Sequence, residues 1–228
     1  MPFIIHLAEG LDDETKNEFT LLKKAGLLKQ NTLIIHGIAL TRSELDDIKA
    51  VSASVCWCPN SNNYLIGQTL DIMSCLEKGV NVVLGTDSTM TGSINMLEEI
   101  RYAKKEFPVI SAKQLYQMVT TNAYRALFVD EAELLDPQKN MLIISKKKDD
   151  PFENILYQEI DDVHLMVQKG VPLYGDISFM EHLNVDEKDY YFFKVGNKEK
   201  FVFGHPEKII ENIDSILGYH KSLPYIPF

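Results

Sequence analysis

Four short apolar runs alternate with amphipathic segments over the first 130 residues, and this alternation limits the folds that the chain can adopt. The runs lie at residues 3–5, 32–35, 53–57 and 80–84. Each repeat spans roughly 20 to 30 residues, the spacing of βα units whose strands pair in parallel. The nearly continuous apolar character of the runs agrees with this, because parallel strands are covered on both faces.

Helices are expected between and after these strands, at residues 12–25, 43–50, 70–78, 94–106 and 112–126. Asp12 or Asp13 is predicted to cap the first helix. Ser43 is the predicted cap of the second helix. The run from Thr91 to Ser93 is expected to cap the helix at 94–106, in preference to the alternative that it lines a site.

The pattern changes after about Val129. A strand is predicted at 140–146, a hairpin at 163–174 around Gly170, a strand pair at 190–203 and a final helix at 207–217. We therefore expect two domains: βα units over residues 1–130 and a small β-rich appendage over residues 131–228.

Composition narrows the classes of function. The 228 residues carry a formal net charge of −10, which argues against nucleic acid or an anionic membrane surface as the partner. No secretory signal or membrane-spanning run is expected, and the predicted location is cytoplasmic. Cys56, Cys58 and Cys75 are odd in number and lie in apolar surroundings, which predicts buried reduced thiols.

Residues suited to metal binding and proton transfer follow three of the four predicted strands. His6 ends the first strand, His36 the second, and Asp87 follows the fourth, with Glu9 three residues beyond His6. Taken singly, such a histidine is more often structural, and such an aspartate is often a turn or cap residue. The carboxyl ends of parallel strands meet at one edge, however, so three coincidences there favour a shared site.

At this point the sequence resembles the amidohydrolase superfamily, in the branch of chlorohydrolases, guanine deaminases and adenosine-type deaminases. The similar motifs are His6-Leu7-Ala8-Glu9-Gly10, Ile34-Ile35-His36-Gly37, Trp57-Cys58-Pro59-Asn60-Ser61-Asn62 and Leu84-Gly85-Thr86-Asp87-Ser88. Their order is similar to that of the fifth to eighth strands of the family's barrel. The resemblance implies an α/β fold: the C-terminal half of a (β/α)8 TIM-type barrel followed by a small β-rich appendage.

The resemblance also implies roles. His6 would bind one divalent metal, zinc or iron, and Asp87 would bind or adjoin it and take a proton from the attacking water. His36 would polarise the group under attack or steady the water, and it is also a candidate third ligand. Glu9 would carry a proton to the leaving group. The implied reaction is hydrolysis of a C–N bond, with deamination of a heterocyclic small molecule favoured.

One departure from the family bears on activity. The family carries a His-x-His pair on the first barrel strand, and this chain has none. A truncated enzyme is the favoured interpretation, ahead of a fragment that pairs with a separate N-terminal half and a protein that has lost catalysis. Weak or absent metal binding and negligible activity are expected of the isolated chain, because His36 would have to swing inwards to complete three ligands.

Two further expectations follow. Self-association or a complementary N-terminal half is predicted, because a half-barrel leaves two strand edges uncovered. The alternative function is a non-catalytic barrel remnant that serves assembly or small-molecule binding. The remaining histidines, His164, His182, His205 and His220, are expected to be surface or packing residues.

Overall fold

The computed structural model describes residues 1–130, 132, 136 and 139–221. The chain divides into two compact units, one formed by residues 1–131 and 148–157 and the other by residues 132–147 and 158–228. Of the predicted appendage, residues 131, 133–135, 137–138 and 222–228 lie outside the described part of the chain.

The first unit is built from βα repeats. Its strands are β1 (Phe3–Leu7), β2 (Thr32–His36), β3 (Ser54–Trp57) and β4 (Asn81–Leu84). Its helices are α1 (Asp13–Lys24), α2 (Arg42–Ala50), α3 (Pro59–Ile66), α4 (Ile72–Lys78), α5 (Met96–Glu106), α6 (Ala112–Val119), α7 (Thr121–Leu127) and α8 (Pro151–Ile155).

The four strands form one parallel sheet in the order β1-β2-β3-β4. Both of its faces are covered, as the apolar runs predict. Ile34, Val55 and Trp57 are fully buried, and a second cluster contains Leu33, Cys56, Cys58, Val83 and Ala126. The predicted α/β class with a parallel sheet is therefore confirmed. The sheet is open in this chain, with β1 and β4 at its edges.

Helix starts were predicted less well than strands. Asp12 caps α1 as expected, by accepting a hydrogen bond from the backbone N–H of Thr15. Ser43 is not the cap of α2, because Thr41 fills that place in a capping box with Glu44. The cap of α5 is Asn95, so the expectation for Thr91 to Ser93 is wrong.

Two helices were not predicted. Helix α3 begins directly at Pro59, where the missing N–H and fixed φ of proline suit a first helical position. Helix α8 packs against α6, and this contact places residues 148–157 in the first unit. Their assignment to the appendage is therefore corrected. The predicted helix at 112–126 is also interrupted, because Thr120 leaves helical geometry with φ −125° and ψ −99°.

The second unit is an antiparallel sheet with one long helix. Its elements are β5 (Met141–Ile144), β6 (Val163–Gln168), β7 (Val171–Asp176), β8 (Tyr190–Val195), β9 (Lys198–Phe203) and α9 (Pro206–Leu217). The strand order is β5-β6-β7-β9-β8. The predicted hairpin β6-β7 and pair β8-β9 are both present, and the sequence did not reveal that β9 pairs with β7. Leu165, Tyr190 and Phe201 form its core.

Among the described residues, no helix has the length and apolar character needed to cross a membrane.

Candidate metal centre and active site

Three potential metal ligands meet at the carboxyl end of the parallel sheet. His6 lies in β1, His36 ends β2 and Asp87 follows β4, and one ligand atom from each lies within 4.8 Å of the other two. The rings of His6 and His36 stand 5.4 Å apart between centroids. His36 is buried, whereas His6 and Asp87 are exposed. The strand ends thus bring together the three residues that the sequence proposed as ligands.

The distances between these three ligand atoms can be compared with those around a bound zinc ion. Zinc in a tetrahedral site lies about 2.0–2.2 Å from nitrogen and oxygen ligands, so two ligand atoms of the same ion are about 3.4 Å apart. Atoms that lie up to 4.8 Å apart must therefore approach one another by up to about 1.4 Å to share one ion. Imidazole and carboxylate suit zinc and iron alike. His36 lies beside the other two candidate ligands, and the movement expected of it from the sequence is this approach.

The backbone at this edge is unusual. Ala8, His36 and Asp87 all have positive φ, at 57°, 71° and 56°, a region that non-glycine residues seldom adopt. Such strained positions occur mostly at functional sites, where the surrounding structure over-determines them. These three lie at the carboxyl ends of β1, β2 and β4, beside the candidate ligands, while the other such residues described, Ser52, Phe128 and Lys169, lie elsewhere.

Glu9 extends the group towards solvent. Its Oε1 lies 3.6 Å from Nε2 of His36, outside ordinary hydrogen-bond distance, and its side chain is 39% exposed. A carboxylate at this place can reach both the imidazole and a molecule entering from solvent.

The other ring nitrogen of His36 is bound inside the protein. Nδ1 lies 2.7 Å from Oδ1 of Asn62, and Nδ2 of Asn62 donates to the hydroxyl of Thr69 at 3.0 Å. The indole N–H of Trp57 donates to the same hydroxyl at 2.8 Å. Trp57 is fully buried and packs edge-on against Phe107, so its role is packing and not a pocket wall.

Two hydroxyls hold the carboxylate of Asp87. The hydroxyl of Ser61 donates to Oδ2 of Asp87, and Thr91 donates to the same oxygen at 3.3 Å. Burial raises the pKa of Asp87, but the bond from Ser61 and the nearby His36 outweigh it and hold the pKa below its usual 3.8. Asp87 is therefore ionised at neutral pH and able to bind a cation or accept a proton.

The loop behind Asp87 depends on one glycine. A Cβ at Gly92 would lie 2.0 Å from the carbonyl oxygen of Thr86, so only glycine permits this approach. The loop also delivers Thr91 to Asp87, and Ser93 accepts a hydrogen bond from Asn60 at 3.0 Å. Thr91 therefore lines the site, the alternative that the sequence did not favour.

A buried carboxyl supports the same region. Glu99 is fully buried in α5 and accepts a hydrogen bond from the backbone N–H of Asn60 at 3.1 Å. Burial raises its pKa, and hydrogen bonds from Ser93 and Asn60 offset part of that effect.

Sequence patterns did not identify Glu99, Ser61, Asn62 or Thr91 as site residues. The one available signal was that Ser61 and Asn62 belong to the motif from Trp57 to Asn62, which resembles the family.

The cysteines and the histidines of the second unit are not among the candidate ligands found in the described residues. Cys56, Cys58 and Cys75 are buried and free, and burial raises the pKa of Cys75 to about 12. In the second unit, His164 contacts Asp176, as a packing residue would. Within the described residues, His6, His36 and Asp87 are the group found to suit a metal ion.

A cavity of about 440 Å³ opens at the opposite end of the sheet. Its lining includes Ser54 and Asn81, the first residues of β3 and β4, together with Lys49 and Arg125. Because the candidate ligands lie at the other ends of the strands, this cavity is separate from the candidate site.

A family model and several known proteins are similar to this chain. The model of the amidohydrolase family matches residues 3–159. A 5-methylthioadenosine/S-adenosylhomocysteine deaminase of Pyrococcus furiosus is 30% identical over 142 residues, covering 56% of this chain and 34% of that protein. The guanine deaminase of Mus musculus is 27% identical over 199 residues, covering 81% of this chain and 44% of that protein.

A solved structure resembles the fold. An adenosine deaminase of Xanthomonas campestris with bound zinc superimposes with a TM-score of 0.67 at 19% identity, covering 75% of this chain and 45% of that one. The chain thus spans between a third and a half of the length of these relatives. The family match covers well over half of the chain, and its span includes all four candidate site residues. On this basis the chain belongs to the amidohydrolase family.

Proposed function

We propose that the chain forms the C-terminal half of a (β/α)8 barrel in a metal-dependent hydrolase. His6, His36 and Asp87 hold one divalent metal, zinc or iron, in this proposal. The reaction is hydrolysis of a C–N bond, in particular deamination of a heterocyclic amine. The observation that carries the proposal is that three strand ends bring these donors within 4.8 Å of one another, with Glu9 beside them.

The relatives support the type of reaction. Those compared above are named as deaminases, and the solved adenosine deaminase contains zinc. Deamination by a metal-dependent enzyme therefore suits this chain better than another hydrolysis, and zinc is the favoured ion.

The chain's own residues fit the proton transfers of such a reaction. When bound, a divalent ion would supply the activation of water, whose pKa it lowers to about 7. Asp87 is ionised at neutral pH because Ser61 and His36 outweigh the effect of burial, so its carboxylate can accept the proton of the attacking water. Glu9 is half-exposed beside His36 and can carry a proton to the leaving amine.

The open sheet suggests how the site is completed. Strand β1 forms one edge of the sheet, where Ile4 is 51% exposed, and β4 forms the other edge. We propose that a complementary N-terminal half, or a second copy of the chain, pairs with these edges. Sedimentation equilibrium of the purified chain tests the second copy, and a strictly monomeric chain leaves the complementary half as the partner.

The decisive experiment is zinc binding, measured by titration and by elemental analysis after dialysis. We expect one weakly held zinc per chain, less than full occupancy after dialysis, and loss of binding in His6→Ala. The matched control is His182→Ala, which removes an exposed histidine of the second unit and should leave binding unchanged.

Equal zinc content in the wild type and both variants would contradict the proposed metal site. A chain without zinc in any form would favour the non-catalytic remnant. Zinc binding that depends on His6 would justify a screen of purine and pyrimidine amines, carried out with the complementary half present.

A further inference from the structure

We propose that Asn62 is a positioning residue that holds the imidazole of His36 as its Nδ1–H tautomer, with the lone pair of Nε2 directed into the candidate site. The residue lies in the motif from Trp57 to Asn62, for which the proposed reaction has no role. The tautomer follows from contacts within this chain. Its importance for metal binding and catalysis rests on the proposed function.

The contact itself is short and enclosed. Oδ1 of Asn62 lies 2.7 Å from Nδ1 of His36, and each residue is only 1% exposed. A neutral imidazole carries one proton, and the hydrogen bond made by one nitrogen decides where that proton resides. A carbonyl oxygen can only accept, so Nδ1 must carry the proton in this contact. Nε2 is then left with its lone pair.

The orientation of the Asn62 amide is supported from its far side. Nδ2 of Asn62 donates to the hydroxyl of Thr69 at 3.0 Å, and the indole of Trp57 donates to that hydroxyl at 2.8 Å. An indole N–H can only donate, so Thr69 accepts from Trp57 with one lone pair, and its second lone pair accepts from the amide nitrogen of Asn62. With the amide nitrogen turned towards Thr69, the amide oxygen faces His36.

The free nitrogen of His36 points to the site. Nε2 lies 3.6 Å from Oε1 of Glu9, and His36 offers a ligand atom within 4.8 Å of His6 and Asp87. The preceding residue, Ser61, donates its hydroxyl to Asp87. Two consecutive residues at the start of α3 therefore hold two of the three candidate ligands. A rigid helix start gives the histidine and the aspartate a common support.

The test reads the tautomer directly. Long-range ¹H–¹⁵N correlation spectra distinguish Nδ1–H from Nε2–H imidazoles, and the chain has 6 histidines, few enough for assignment of His36 by comparison with His36→Gln. The spectra are recorded on the full chain after chelation, at alkaline pH where the ring is neutral. Chelation matters because a metal on Nε2 would by itself enforce the Nδ1–H form.

We expect the Nδ1–H form for His36 in the wild type and in Asn62→Asp, whose carboxylate also accepts. Asn62→Leu should shift His36 mainly to the Nε2–H form, which imidazole side chains favour in water. The matched control is Asn63→Leu, because Asn63 is the next residue of α3 but bonds Tyr102 at 3.0 Å. It should leave the His36 signal unchanged.

A wild-type chain with His36 in the Nε2–H form would overturn the proposal, and so would an unchanged tautomer in Asn62→Leu. If the leucine variant fails to fold, the wild-type and Asn62→Asp spectra still decide. Zinc titration adds the functional readout. Loss of a partner that orients a ligand typically weakens metal affinity about 10- to 100-fold, and Asn62→Asp should retain most of the affinity. A wild type that binds no zinc but shows the Nδ1–H form would contradict only the proposed function.

Discussion

His36 in the parallel-sheet unit and His164 in the antiparallel unit are held in opposite ways. Nδ1 of His36 faces a neutral amide and its Nε2 stands 3.6 Å from Glu9, beyond hydrogen-bond distance. Nδ1 of His164 lies 2.6 Å from the carboxylate of Asp176, and its Nε2 lies 2.9 Å from the hydroxyl of Ser145. Both ring nitrogens of His164 are thus used inside its unit. His36 keeps one nitrogen for a ligand.

The charged groups around the two histidines also differ, because those around His164 are balanced within its unit. Beside His164, the side chain of Lys200 is fully buried, and its ammonium lies 2.5 Å from Asp176 and donates to the carbonyl of Val163 at 2.7 Å. The charges of this group are therefore matched within the unit. At the candidate metal site the two carboxylates, Glu9 and Asp87, gather with neutral donors and no lysine contact among the described residues. A buried charge depends on its partner in the folded state, whereas an acidic group without a counter-charge suits a cation.

The largest expected effect tests the buried pair of Asp176 and Lys200. Asp176→Ala leaves the buried ammonium of Lys200 without its counter-charge, and breaking such a pair costs about 3–5 kcal/mol. Urea denaturation should show this loss, and hydrogen exchange should locate it in the second unit. A loss below about 1 kcal/mol would show that the backbone carbonyls alone satisfy Lys200.

The pair of Asp176 and Lys200 also makes the stability of the fold depend on pH. Burial raises the pKa of Asp176, but Lys200 and His164 outweigh it and lower the pKa below 3.8. The folded state therefore holds the proton less tightly than the unfolded state does. Stabilisation by Asp176 is complete above pH 3.8 and is lost as the pH falls below that value. Asp176→Ala should remove this part of the acid sensitivity.

A smaller effect of opposite sign is expected in the first unit. Burial raises the pKa of Glu99 above its usual 4.5, so the folded state binds this proton more tightly than the unfolded state does. The charged form is unfavourable at pH 7, and Glu99→Gln should increase the free energy of unfolding by the order of 1 kcal/mol. The gain should shrink as the pH falls from 7 towards 4.5 and be absent below 4.5, because protonated Glu99 resembles glutamine. A loss of stability at pH 7 would show that the anion is needed by Asn60 and Ser93.

The smallest effect is expected for an exposed ion pair, which has the same separation as the buried pair of Asp176 and Lys200. Arg42 and Glu77 also lie 2.5 Å apart, but their side chains are 65% and 62% exposed. Solvent screens such a pair, so Arg42→Ala should change stability by no more than about 0.5 kcal/mol. Urea denaturation measures it beside Asp176→Ala. Equal losses for the two variants would mean that burial does not distinguish them.

The sequence was sufficient for the strands and for the candidate ligands. Each apolar run became a strand of the parallel sheet, because such runs can be stable only when both faces are covered. His6, His36 and Asp87 were placed at one edge because parallel strands all point the same way. Helix α3 escaped prediction, although proline favours the first position of a helix and Pro59 is the first residue of α3.

What the tertiary structure alone decided is which polar side chains meet. Asn62 lies 26 residues from His36 in sequence, and Ser61 the same distance from Asp87. Glu99 reaches Asn60 across 39 residues. Local patterns of hydrophobicity record which face of an element is buried, because that depends on the neighbours within one or two turns. They carry no record of contacts between distant elements, which depend on how the helices pack on the sheet. The sequence therefore determined the strands and the types of the candidate ligands, and packing determined the residues that contact them.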